Sequence, residues 1–85
     1  MNRSPSKSVL LPQSYEAWEL TAKELIETEM MRRNIRYKEL SRMLEKVGIE
    51  ESPGQINRKV NRKRFSAAFL LACLVAMGAK TISLE

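Results

Sequence analysis

The sequence predicts an all-α domain, and three observations carry that expectation. Apolar residues recur at three- and four-residue spacing in separate stretches, which is the period of a helix face rather than of a strand. The stretches open or close on residues suited to helix ends: Ser14, Ser52 and Ser66 before, Asn34, Gly48 and Gly78 after. Finally, 85 residues suffice for one core, so nearly every long apolar side chain must serve it. The expected architecture is four to five helices over residues 14–85, preceded by a flexible arm over residues 1–13 that is Ser-, Pro- and Lys-containing and without periodicity.

The first helix is expected to start after Ser14, with Glu16 and Glu19 near the positive end of its dipole. Trp18, Ala22, Leu25, Ile26 and Met30 form one apolar stripe. Arg32 and Arg33 fall in the last turn, where cations are favoured, and Asn34 suits the left-handed position that follows. A second helix covers about Tyr37 to Val47, burying Leu40, Met43, Leu44 and Val47, and Gly48 ends it. Arg36 stands where a capping hydroxyl is expected, so this start is poorly signalled.

The third helix has the clearest start. Ser52 as N-cap, Pro53 at the first helical position and Gln55 two residues on form a capping box. Ile56 and Val60 dock one face; Gly54, Gln55, Asn57, Arg58, Asn61 and Arg62 lie outward, and Gly54 leaves room for another surface to approach. The fourth helix follows Ser66, with Phe65 and Leu70 placed as a hydrophobic staple. Residues 67–77 are apolar all round, so this helix is either central or covered on one side by a partner. After Gly78, Ile82 and Leu84 alternate in a segment that reads as a short C-terminal strand or an extended tail. Cys73, inside the apolar helix, reads as a small buried hydrophobe.

Composition narrows the function. The chain has no His and no Asp and a single Cys, so the usual catalytic triads, paired aspartates, Cys/His zinc sites and internal disulfides cannot be assembled. No enzyme, metal or cofactor is expected. The apolar run from Val9 to Leu11 is too short for a signal peptide, and that from Ala67 to Met77 too short for a membrane span. A soluble cytoplasmic protein with no membrane partner is the expectation. The formal net charge is +5, but its distribution is uneven: residues 14–31 sum to −4 and residues 32–64 to +7. The run 52–64 alone holds Arg58, Lys59, Arg62, Lys63 and Arg64 with no acid among them. A molecule that presents one basic face suits a polyanion, although basic segments are also common as solvated surface.

The run "IRYKELSRMLEKVGI", followed by "GQINRKVNRKRFSAAFLLACLVAMG", resembles the Cro- and lambda-repressor-type helix-turn-helix family. The resemblance lies in the "KEL" opening, the small Ser41 after Leu40, the terminating Gly48-Ile49, and the "I…V-N-R" helix followed by a capped apolar one. The "FSAAFLLACLVAMG" ending is also similar to that of a group of short bacterial domains of unassigned function. Two departures stand out. Leu40 and Ile56 are 16 positions apart, longer than a tight helix-turn-helix allows, and Lys63 replaces the glycine that usually follows the recognition helix. The resemblance implies a bacterial regulator of transcription that binds double-stranded DNA, with the third helix in the major groove and the second across the backbone. By position it implies that Gln55, Asn57, Arg58 and Asn61 meet base edges. It likewise implies that Arg36, Tyr37, Lys38, Lys59, Arg62, Lys63 and Arg64 hold phosphates.

The competing expectation is a protein-interaction module on the same fold without DNA, motivated by the all-apolar fourth helix. RNA ranks lower, because the chain has few aromatics and Trp18 and Phe69 read as core rather than as stacking platforms. A homodimer formed through the fourth helix or the "TISL" segment is a further expectation.

Overall fold

The computed structural model describes residues 13–82, so the expected arm lies outside the described residues except for Gln13. Four helices follow: α1 (Tyr15–Arg33), α2 (Tyr37–Glu45), α3 (Pro53–Arg62) and α4 (Ala67–Ala76). Helix α2 packs against α3 and α4, while α1 packs against α4 and α3. The common core is Ile26 and Met30 from α1, Leu40 and Leu44 from α2, Ile56 and Val60 from α3, and Phe69, Cys73, Leu74 and Met77 from α4 and its cap. Fully burying one such aliphatic side chain is worth about 1.5–3 kcal/mol, so α3, with two, depends on both.

Short-range capping sets most of the helix boundaries. Ser14 accepts from the Ala17 N–H at 3.1 Å and Ser66 from the Phe69 N–H at 3.0 Å. At α3 both halves of the box are made: Ser52 Oγ accepts from the Gln55 N–H at 3.1 Å, and Gln55 Oε1 from the Ser52 N–H at 2.8 Å. Helix α2, whose start lacks a capping hydroxyl, is closed from the other side. Glu39 Oε1 accepts from the Arg36 N–H at 2.7 Å, the return half of a capping box that Arg36 cannot complete because its guanidinium only donates.

Three ends share one geometry. Asn34, Gly48 and Gly78 take positive φ (56°, 92° and 90°). The next residue's N–H then reaches back five positions: Ile35 to Met30 O, Ile49 to Leu44 O, Ala79 to Leu74 O. In each case the residue past the turn (Ile35, Ile49 or Ala79) packs on the core.

The structure corrects three expectations. Helix α2 stops at Glu45 and hands over to a turn through Gly48, so Val47 is exposed rather than buried. Trp18 belongs to the helical stripe but is 53% exposed, because the first half of α1 runs past the edge of the core. No strand occurs among the described residues; Thr81 and Ile82 are irregular, and residues 83–85 lie outside them. Phe65 and Leu70, the two expected staple residues, both pack on the core, and the Phe65 ring also meets Phe69 at 5.5 Å between centroids. Helix α4 fits the reading in which one side is left open: Leu71 is 55% and Val75 62% exposed.

Ser41 fixes the approach of the α2–α3 connection. It is buried, and its hydroxyl donates to the Glu51 carbonyl at 2.6 Å, one residue before the α3 cap. Replacing Ser41 with Ala removes the donor and leaves that carbonyl short of a partner, an expected loss of about 1–3 kcal/mol in urea unfolding. Cys73 is fully buried, and burial, with Glu51 adding to it and Lys59 opposing, pushes its thiol up to about 12.

The end of α1 is tied to the end of α4 through charge. Glu29 accepts from Arg32 and Arg33, both at 2.8 Å, and Arg33 also donates to the Gly78 carbonyl at 3.4 Å. The hydrogen bond from Arg33, with both guanidinium charges, holds the Glu29 carboxyl below its ordinary value of 4.5 despite the opposing effect of burial. A depressed folded-state pKa contributes stability that is present above pH 4.5 and is lost as pH falls through the folded value. Glu29→Gln is therefore expected to be less stable at neutral pH and to lose less stability on acidification, read as thermal midpoints from pH 7 down to pH 3.

Candidate nucleic-acid interface

Burial of Ile56 and Val60 turns the remaining residues of α3 away from the core, and the capping box fixes where that face begins. Gln55, Asn57, Arg58, Asn61 and Arg62 are all exposed. Gln55, Arg58, Lys59 and Arg62 line a shallow cleft of about 250 Å³ with Glu51.

The four residues expected at base edges differ in what they can offer. Gln55 spends its side-chain oxygen on the Ser52 N–H, leaving its amide NH₂ to donate. Bidentate pairing with adenine needs both a donor and an acceptor; the capped oxygen keeps one lone pair, and the NH₂ is the freer of the two groups. Asn61 donates through its amide to the Asn57 backbone carbonyl at 2.9 Å and to the Asn57 side-chain oxygen. Arg58 has no hydrogen-bond or ion-pair partner among the described residues, and a Cβ on Gly54 would lie 3.6 Å from its guanidinium. A methyl at Gly54 would only touch Arg58 at ordinary van der Waals distance, so the glycine is not what gives Arg58 its space.

The seven cationic or phenolic residues expected at phosphates fall into three groups. Arg36, Tyr37 and Lys38 open α2, with Arg36 and Lys38 exposed and Tyr37 half-buried. Burial, then the charge of Glu27, raises the Tyr37 phenol, while a hydrogen bond from Asn61 acts the other way; the hydroxyl stays protonated at neutral pH and can donate.

Lys59 stands apart. Its ammonium pairs with Glu51 and lies 5.0 Å from the Phe69 ring centroid, so it ties α3 to the cap before it and to α4. Arg62, Lys63 and Arg64 form the third group and share a cleft of about 280 Å³ with Glu16 and Glu19 of α1. Arg64 pairs with Glu19 at 3.3 Å across that cleft. These two ion pairs were not legible in the sequence, because their partners lie 8 and 45 positions apart with no helical register between them.

Lys63 occupies a position that favours glycine, with φ 67° and ψ 9°. An L-residue in the left-handed region costs about 1–2 kcal/mol. A glycine would relieve that strain, so the cation at this helix end comes at a cost in stability. Lys63→Gly is expected to gain on the order of 1 kcal/mol in denaturant unfolding.

Among the described residues no helix is long and apolar enough to cross a membrane, and no group of three or more Cys or Glu side chains is placed to hold a metal ion. A family model described as "Domain of unknown function (DUF6471)" matches residues 18–82, and the chain belongs to that family. Neither the curated proteins nor the solved structures contain a match.

Proposed function

We propose that this member of the DUF6471 family is a small cytoplasmic DNA-binding protein, a transcriptional regulator that places α3 in the major groove of double-stranded DNA. The observation that carries the reading is the outward face of α3: a rigidly capped, core-docked helix presents Gln55, Arg58 and Arg62, and the acid that lines their shared cleft, Glu51, is paired with Lys59. In this reading α2 and α3 act as a Cro- and lambda-repressor-like helix-turn-helix with a long turn through residues 46–52. Arg58 is the principal base reader, because guanine recognition needs only a donor fork, and Gln55 adds a donor to a neighbouring acceptor. Arg36, Tyr37, Lys38 and Arg62 hold phosphates, with Lys63 and Arg64 at the margin. Lys59 supports the helix from within. The reading assigns no catalytic step and no cofactor.

A second reading has its own support. Leu71 and Val75 leave an apolar stripe on α4, which suits a protein partner or the two-fold contact of a homodimer. A protein-interaction module on this fold would use that stripe and leave α3 merely soluble.

Selection of bound duplexes from a random-sequence library at physiological salt separates the two. The DNA reading expects an enriched motif, palindromic if two copies bind together, and retention of nothing above background rejects it. Arg58→Ala with Arg62→Ala is then expected to weaken binding to the selected site. The loss at Arg58 is about 1–3 kcal/mol, and the salt slope falls by about 1 for the phosphate contact removed at Arg62. Unchanged affinity in the double variant would show that α3 does not face the DNA.

A further inference from the structure

The first turns of α1 carry a feature that the α3 face does not use. Tyr15 (83% exposed) and Trp18 lie beyond the core, beside the connection between α3 and α4. Together with Glu19, Ala22, Lys63, Arg64 and Phe65 they line a cleft of about 470 Å³. Its walls are fixed. Trp18 and Ala22 sit one turn apart on a continuous helix, and Phe65 is held by its ring contact with Phe69 in the core.

The charges of the cleft are unequal in availability. Glu19 is already paired with Arg64 Nε at 3.3 Å. That ion pair sets the guanidinium beside the cleft without a hydrogen bond to Glu19, so its five N–H donors stay open. Arg64 has no second partner among the described residues, and Lys63 has none, so the cleft offers cationic donors beside an apolar wall. Lys63, on left-handed backbone, is the charged residue at the turn that borders this wall.

We propose that this cleft docks a peptide segment of a partner protein in which an apolar side chain stands next to an aspartate or glutamate. The apolar side chain covers Trp18 and Phe65, and the carboxylate accepts from Arg64 and Lys63. Complementarity favours a peptide over a nucleic-acid strand: Glu19 lines this cleft and Glu16 the adjoining one, so a run of phosphates meets two carboxylates, whereas a peptide brings one carboxylate for Lys63 and Arg64 and its own N–H donors for Glu19. Trp, Tyr and Arg are also the residue types that dominate the centres of protein interfaces.

The test uses the full chain immobilised against a displayed library of random heptapeptides. Enriched sequences are expected to place an aliphatic or aromatic residue beside an acid. The synthetic peptide is expected to shift the emission of Trp18, the single tryptophan of the sequence. By anisotropy of the labelled peptide, Trp18→Ala and Arg64→Ala are each expected to weaken binding about tenfold or more. Both sites are exposed, and circular dichroism checks that both variants remain folded. A peptide with lysine in place of the acid is expected not to bind. The proposal is overturned if no acidic class is enriched, or if binding survives both substitutions. It is equally overturned if an oligothymidylate or a second copy of the chain, and no peptide, moves the Trp18 emission. Duplex binding read in parallel keeps the two conclusions apart: Trp18→Ala retains it where α3 reads DNA, and its absence from the unaltered chain removes the DNA reading alone.

Discussion

Helix α3 is polar over most of its circumference and is held in place by two side chains one turn apart. Ile56 and Val60 are both fully buried, and no third large apolar residue shares their face. With so narrow an anchor, the direction of every other side chain on α3 follows from the direction of those two. The hydroxyl of Ser41 adds the missing coordinate by holding the Glu51 carbonyl, and with it the start of α3, against α2. Lys59 supplies a third restraint through Glu51 and Phe69. A helix that would be unstable alone becomes a fixed platform, and the exposed face of that platform is the part of the molecule free to recognise something else.

The uneven charge of the chain has two uses in the fold. Part is consumed internally: Glu29 gathers Arg32 and Arg33, Glu51 takes Lys59, and Glu19 takes Arg64. The acidic first half of α1 therefore serves as a counter-surface for basic residues from later in the chain. Among the described residues the cations left without an ion pair are Arg58, Arg62 and Lys63 on and after α3, Arg36, Lys38, Arg42 and Lys46 along and beside α2, and Lys80. The net charge of +5 does not say which cations are available to a ligand, and the distribution of the unpaired ones is the better guide.

Much of the architecture was legible in the sequence because capping is a local interaction. Ser14, Ser52, Ser66, Asn34, Gly48 and Gly78 act within three to five positions of themselves, and each stands at the helix end that its chemistry suits. The start of α2 was less legible, because its cap comes from Glu39 inside the helix rather than from a hydroxyl before it. Periodicity identified the stripe containing Trp18 but carries no information on how far along a 19-residue helix the core extends. The same limit applies at Val47, where the helix ends two residues before the apolar pattern does. At the candidate site, the pattern showed which residues point outward. It did not show which are already engaged, since Gln55, Asn61 and Lys59 find partners only once the backbone is folded.

Cys73 has a practical consequence. It is the single cysteine, it has no solvent contact, and its thiol stays protonated across the neutral range. Maleimide chemistry needs an accessible thiolate, so the native chain offers almost no background to it. A cysteine introduced on an exposed helix face would carry the dye or spin label alone, without first removing the natural residue. Distances between labelled helices can then be followed in a chain whose core is intact.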